Sequence, residues 1–308
     1  MTGQPARANF ERVLRTFVLV FGLAAIHTSS ADITLLQANG ESLSLAAPAD
    51  SIITLAPNLA ELVFAAGAGD RLIAVVEYSN FPAGVARIPR VGDAFRVDLE
   101  RIMELKPDLV IAWKSGNPQT ALQKLQQLGI KVWQIEITSP GEIADAVENI
   151  ARAAGTETEG DAKAQNLRNR LADLQKQNAD KTRLDYFYQI SPRPLYTING
   201  QHIISRSLAI CGGHNVFSDL QALAPPISHE AVIIANPQVM IAPEIPDEPP
   251  ALLAWQDWPR LQAIQTGALL YLPADEINQA TPRLLNSIES ACKRLDEVRM
   301  KLGAEEKS

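Results

Sequence analysis

Residues 98–112 read Asp-Leu-Glu-Arg-Ile-Met-Glu-Leu-Lys-Pro-Asp-Leu-Val-Ile-Ala, and residues 228–242 read Ser-His-Glu-Ala-Val-Ile-Ile-Ala-Asn-Pro-Gln-Val-Met-Ile-Ala. The two segments agree in kind at the capping residue, the acid two positions later, the apolar positions, the proline and the closing Ile-Ala. Glu230 follows Glu100 by 130 residues, and every other matched position keeps that offset. Each copy is a capped helix, a proline stop and a continuous apolar strand. A helix–strand unit that recurs at constant spacing marks a duplication, so the chain reads as two similar lobes.

The flanking sequence gives each copy a lobe. In the first half, Ser51–Leu55 is a strand and Pro57-Asn58 opens a helix that Gly67 stops. Strand 71–76, the helix capped by Asp98, strand 109–112, helix 119–128 and strand 130–134 follow. Strands alternating with helices predict a parallel sheet covered on both faces. Ser139-Pro-Gly-Glu142 has the pattern of a capping box, and it opens a helix striped by Ile143, Val147, Ile150 and Ala154 up to Gly155. The next helix, about 159–179, has one narrow apolar seam at Ala164, Leu167, Leu171 and Leu174, which suits a strut lying across two lobes. The second half has strands at 184–190, 239–242 and 269–272. Its helices are placed at 205–211, from Trp258–Leu261, and from Thr281-Pro-Arg to about Leu302. The predicted class is α/β: two Rossmann-like lobes with parallel sheets, 50–155 and 183–303, joined by one long interdomain helix within 156–182. Residues 32–49 are polar and irregular, with a short hairpin.

A length of 308 residues suffices for two such lobes. The formal net charge of −7 argues against a nucleic-acid binder, which needs a basic face. Residues 1–31 have the form of an export signal: Arg7, Arg12 and Arg15, the apolar run Phe17–Ile26, then Ser29-Ser30-Ala31. The run is about ten residues, too short for a hydrocarbon core of ~30 Å. The competing reading is a buried N-terminal helix. Export places the mature chain in an oxidising compartment, the periplasm in a bacterium. The only cysteines are Cys211 and Cys292. In an exported chain a pair forms a disulfide more often than a redox or metal site, and two separate buried thiols are the alternative.

Catalytic patterns are sparse. His202, His214 and His229 are not paired at metal-ligand spacing, and there is no Walker loop or Gly-x-Ser-x-Gly. A two-lobed secreted enzyme would have to use His214 or His229, for which the sequence shows no partner. The loop Trp113-Lys-Ser-Gly-Asn117 is more informative, because ligands of open α/β sheets bind beyond the carboxyl ends of the strands. Trp113 there offers an apolar face, while Gly116 and Asn117 let backbone and amide approach a polar ligand edge. Tyr78 follows the second strand of the same lobe and Tyr196 the first strand of the other. Three aromatics converging on a crevice suit a large, flat, amphipathic ligand. Glu100 and Glu230 either favour their helix dipoles or, as equivalent acids on two lobe tops, engage two basic sites on a two-fold partner.

With these stretches in view, the chain resembles the periplasmic substrate-binding proteins of ABC importers whose lobes are joined by one long helix. The resemblance rests on Ile53-Thr-Leu-Ala-Pro-Asn-Leu-Ala-Glu61, on Leu99–Ala112 and on Cys211-Gly-Gly-His-Asn-Val-Phe217, and it covers roughly residues 50–300. Within the family it is most similar to the members that bind vitamin B12 (cobalamin), through Ile111-Ala-Trp-Lys-Ser-Gly-Asn117, Tyr78 and Pro194-Leu-Tyr-Thr197. The resemblance implies a non-enzymatic, monomeric receptor with no cofactor. It would carry cobalamin or another corrinoid, such as cobinamide, to permease and ATPase subunits in the inner membrane. It further implies a Cys211–Cys292 bridge and docking of Glu100 and Glu230 to permease arginines. The implied pocket is lined by Pro57, Tyr78, Trp113, Gly116, Asn117, Tyr196 and the segment Asp275, Glu276, Ile277, Asn278 and Gln279. Ala94, Ala224 and Glu276 stand where the cobalamin members have aromatics, so a less aromatic pocket is expected. Haem or a ferric siderophore is the alternative ligand, through Tyr78, Tyr196 and Arg206. Zinc and manganese are disfavoured, because the histidine and carboxylate set of those members is not visible.

Overall fold

The computed structural model describes residues 2–3 and 32–305. The export-signal reading therefore lies almost wholly outside the described residues. From Asp32 onward the chain is one unit built on two four-stranded parallel sheets. A leading hairpin pairs β1 (Ile33–Leu36) with β2 (Ser42–Leu45). The first sheet consists of β3 (Ile52–Thr54), β4 (Leu72–Ala74), β5 (Leu109–Trp113) and β6 (Val132–Ile135), in the order β4-β3-β5-β6. Its helices are α1 (Pro57–Ala65), α2 (Leu99–Leu105), α3 (Gln119–Gln127) and α4 (Pro140–Ala154). Then comes α5 (Glu157–Asn178). In the second half β7 (Leu184–Tyr188) leads into a small ribbon, β8 (Ser191–Pro192) with β9 (Leu195–Tyr196), and then α6 (Ile203–Ile210) and β10 (Gly213–Asn215). It continues with α7 (His229–Ala235), β11 (Val239–Glu244), α8 (Gln262–Gln265), β12 (Leu269–Pro273), α9 (Ala274–Ile277) and α10 (Leu284–Glu305). The sheet order here is β10-β7-β11-β12, the same sequence of steps as in the first sheet.

The duplicated stretch folds twice in the same way. The side chain of Asp98 accepts from the Arg101 N–H at 2.9 Å, and that of Ser228 from the Ala231 N–H at 3.2 Å. Both helices are seven residues long, and both end on a left-handed residue, Lys106 (φ 47°) and Asn236 (φ 42°). The next residue in each copy is a proline, which cannot continue a helix, and β5 and β11 follow.

Alternation along the strands decides what each sheet face covers. Ile53, Val110, Ala112 and Val132 face an outer layer with Ile102, Leu122 and Leu125 of α2 and α3. Phe187, Met240 and Ala242 face a second outer layer with Val232 of α7, Trp255 and Ala263. The other sides of both sheets meet a single apolar cluster. It takes Ile52, Leu109, Ile111 and Trp133 from the first sheet and Tyr186, Tyr188, Val239, Ile241 and Leu272 from the second. Between them it includes Leu59, Ile150, Leu167, Leu208, Ile288 and Leu295 from α1, α4, α5, α6 and α10. Each buried aliphatic contributes about 1.5–3 kcal/mol relative to exposure, so this shared layer is the main force holding the two sheets in one body.

Helix α5 buries Gly160, Ala164, Leu167, Leu174 and Asn178 along the predicted seam. It packs on α4 on one side and on α6 and α10 on the other. A side chain at Gly160 would collide with the Ala151 methyl of α4, so glycine lets the two helices close. Cys211, at the end of α6, is disulfide-bonded to Cys292 of α10, both within the shared layer.

Three local expectations change. Ser139 makes no side-chain capping bond. Instead Glu142 accepts from the backbone N–H of Thr138 at 2.7 Å, one residue further out than a capping box requires. No helix starts at Trp258. A 3-10 turn occupies Leu253–Asp257 and α8 begins at Gln262, because Pro259 excludes its predecessor from helical geometry and Trp258 has ψ 68°. Helix α6 starts two residues before the predicted Ser205, since the His202 ring accepts from the Ile204 N–H at 3.2 Å and so caps it.

Reduction of the disulfide, or the Cys211→Ala/Cys292→Ala double variant, is expected to cost about 4–5 kcal/mol for a loop of this length on the chain-entropy model. Guanidinium unfolding with and without reductant measures it, and unchanged stability would contradict a bond closing 81 residues.

Candidate functional site

Side chains of the two lobes are hydrogen-bonded to each other at two points. Arg206 of α6 donates to Gln201 at 2.6 Å and to Thr138, which follows β6, at 3.4 Å. Arg283, just before α10, donates to Glu61 of α1 at 3.0–3.1 Å and to Asp275 of α9 at 2.6 Å. Of the predicted binding residues, Asp275 takes part in these contacts.

On the first sheet, Trp113 ends β5 and is about one-third exposed. Its indole Nε1 donates to Glu136 at 2.9 Å, and the same carboxylate accepts from the backbone N–H and hydroxyl of Ser115. Glu136 follows β6, the neighbour of β5, so one acid at the end of one strand shapes the loop of the next. Any side chain at Gly116 would overlap the Trp113 ring, so the glycine is a seat for the indole. Asn117 is buried and its amide makes three hydrogen bonds within the lobe: Oδ1 accepts from the Trp113 N–H, and Nδ2 donates to Leu55 O and Ala94 O. The expectation that this amide meets a polar ligand edge therefore gives way to a structural role, tying three strand-end loops together.

Tyr78 is 77% exposed and has φ 65°, a left-handed conformation that costs a non-glycine residue roughly 1–2 kcal/mol. Pro57 is half-buried at the first position of α1. Sequence reasoning missed Phe95, which is as exposed as Tyr78. It sits one residue after Ala94, in a turn where Asp93 accepts from the Phe95 and Arg96 N–H groups, and Asn117 anchors that turn. The signal was present as an aromatic shifted by one position.

On the second sheet, Tyr196 is half-buried in β9. Asp275 is largely exposed, and Glu276 accepts from Ser287 at 3.4 Å. Asn278 accepts from the Tyr188 hydroxyl at 3.4 Å, while Gln279 is half-buried. Ile277 is fully buried in the shared apolar layer, so its side chain is core and not pocket wall. Two cavities open along this edge. One of ≈ 420 Å³ is bounded by Glu244, Ile245, Tyr271, Pro273 and Asp275. The other, of ≈ 840 Å³, is bounded by Ile190, Pro192, Ile245, Pro250 and Leu253. Both volumes are in the range of small-molecule sites. The wall from Pro243 to Leu253, which mixes prolines and aliphatics with Glu244, Asp247 and Glu248, was not foreseen.

Glu100 and Glu230 are exposed at equivalent first turns of α2 and α7. The Glu230 carboxyl is held below the usual range by its own backbone N–H and the Ser228 hydroxyl. The histidines take structural places. His214 does have a partner, Asp185 at 2.8 Å, but the pair lies at the amino ends of β7 and β10, away from the edge just described. His229 stacks on Trp255 with 5.0 Å between centroids. Among the described residues no cluster of three metal-binding side chains occurs, and no helix is long and apolar enough to cross a membrane.

The fold and the strand-end site together define a bilobal solute receptor. The profile of the periplasmic binding protein family matches residues 52–276, and the chain belongs to that family. The vitamin B12-binding protein of Vibrio cholerae serotype O1 is 38% identical over 246 residues, covering 80% of this chain and 88% of that protein. The crystal structure of the periplasmic vitamin B12 binding protein BtuF of Vibrio cholerae superposes with a TM-score of 0.76 at 37% identity, over 82% of this chain and 98% of that one. The periplasmic heme binding protein HutB of Vibrio cholerae shares the fold, with a TM-score of 0.69 at 22% identity over 80% and 98%.

Two outcomes follow from the geometry. Gly116→Val is expected to push the indole off Glu136, giving a red-shifted emission that is absent when Trp113→Phe is added; identical spectra would refute the seat. Burial lowers the His202 pKa to about 4 from 6.5. As pH falls the unfolded chain takes up this proton first, so stability is lost from about pH 6.5 down to pH 4 and is constant above. Denaturant melts at pH 7 and 4.5 should show that loss in the wild type and a smaller one in His202→Asn, which keeps a capping side chain without the titration.

Proposed function

We propose that the chain captures cobalamin between the facing strand ends of its two lobes. It then delivers the ligand unaltered to the permease and ATPase subunits of an inner-membrane ABC importer. It is a binding protein and not an enzyme. The observation that carries the ligand is the 38% identity with a vitamin B12-binding protein across most of both chains. The site supports it with exposed aromatic faces at Trp113, Tyr78 and Phe95, on a frame fixed by Glu136 and Asn117. Such faces bind a broad macrocycle at about 25 cal/mol per Å² of buried apolar area, less the cost of lost rigid-body freedom. Pro57, Tyr78, Trp113, Phe95, Tyr196, Asp275, Glu276 and Gln279 line the site in this reading. Gly116 and Asn117 act behind them.

Haem or a ferric siderophore is the weaker reading. The heme-binding neighbour is alike in fold only, and Arg206 is already engaged by Gln201 and Thr138. Residues 1–31 direct export, and the disulfide fits an oxidising periplasm. The receptor acts as a monomer whose two lobe tops present Glu100 and Glu230 to arginines on a two-fold permease.

Calorimetric titration with cyanocobalamin is expected to give one-to-one binding with tryptophan quenching, and Trp113→Ala to weaken it at least tenfold. Binding of haem but not of cyanocobalamin or cobinamide would overturn the ligand assignment. Glu100→Ala/Glu230→Ala is expected to abolish capture by transporter-containing vesicles while leaving cyanocobalamin affinity within twofold. Equal loss of ligand affinity would place the acids in the pocket.

A further inference from the structure

Arg283 stands apart from the other ion pairs because it connects the two lobes and the pocket edge through one planar group. Its Nε and Nη2 reach both carboxylate oxygens of Glu61 at 3.0–3.1 Å, and its Nη1 donates to Asp275 Oδ2 at 2.6 Å. Cζ also lies 4.2 Å from the centroid of the Phe81 ring. Glu61 and Phe81 belong to the first lobe, on segments that leave β3 and β4. Asp275 belongs to the second lobe and bounds the ≈ 420 Å³ cavity. The side chains of Glu61 and Arg283 are 5% and 15% exposed, whereas that of Asp275 is 70% exposed.

We infer that Arg283 is a positioning residue that makes the direction of the Asp275 carboxylate, and hence ligand affinity, depend on the first lobe. The guanidinium is flat and its donors are fixed relative to one another. With one edge clamped by Glu61 and one face on Phe81, the remaining Nη1 points in a single direction. Asp275 keeps a second oxygen free for a ligand donor while the first is held. A change in lobe spacing moves the fork and with it the carboxylate. A lysine retains the charge but, as a point donor, cannot hold two carboxylates at defined angles.

The inference rests on the proposal that this edge binds cobalamin, so the probe is cyanocobalamin, measured by calorimetry on the full mature chain. Asp275→Asn and Arg283→Lys are each expected to weaken binding about tenfold. The double variant should be no weaker than Asp275→Asn alone, since both act on one contact. Glu61→Gln should weaken binding in the wild-type background and have no effect beside Asp275→Asn. It also serves as the second route if Arg283→Lys fails to fold. A merely structural arginine would lower the melting temperature of the ligand-free chain and give losses that multiply with Asp275→Asn. Multiplicative losses, or wild-type affinity in Asp275→Asn or Arg283→Lys, overturn the inference. Failure of the wild-type chain to bind any corrinoid overturns the reading beneath it and this inference with it.

Discussion

The shared apolar layer between the two sheets is the constraint on which everything else depends. Each sheet has one face covered by its own short helices and the other turned into one apolar cluster to which both sheets contribute. Opening the lobes widely would expose part of that common layer to water at roughly 25 cal/mol per Å². The helices beneath the cleft therefore act as a fixed base, and α5 is one member of that base, not a free strut. At the strand ends the contacts between the lobes are polar.

Because the base is rigid, the strand-end loops are free to specialise. At the end of β5, Glu136, Gly116 and Asn117 hold one indole in place while the loop itself stays exposed. Tyr78 sits in a left-handed conformation that its surroundings have to maintain. A strained residue and a closely hydrogen-bonded loop thus stand at the rim of an otherwise regular α/β body. The rim of the second lobe is built differently, from prolines, aliphatics and the acids Glu244, Asp247 and Glu248 between Pro243 and Leu253.

The duplication gives the two lobes equivalent helix starts. Copies of one capped helix place Glu100 and Glu230 at equivalent positions, and the caps, the left-handed exits and the prolines that fix those positions are themselves duplicated. Outside the acids the copies differ: α2 carries an Arg101–Glu104 pair, where α7 has Ala231 and a nearly fully exposed Ile234. The pseudo-symmetry is therefore kept in backbone geometry and in one charge per lobe, not in the whole surface.

The α/β class, the parallel sheets, the repeat and the positions of most helices were legible in the sequence, because periodicity, caps and prolines act over a few residues and need no tertiary information. The positions of Trp113 and Tyr78 at and after strand ends were legible for a related reason, since the apolar runs that mark the strands also mark where they stop. What the sequence left open was decided by contacts between distant segments. Asn117 could not be distinguished from a ligand-facing amide until Leu55 and Ala94 were seen to use it. Ile277 belongs to the core because α10 and the second sheet cover it, and the link from Glu61 through Arg283 to Asp275 spans 222 residues. Local pattern fixes which elements form; only the packing of those elements sets which polar groups are already satisfied and which remain for a ligand.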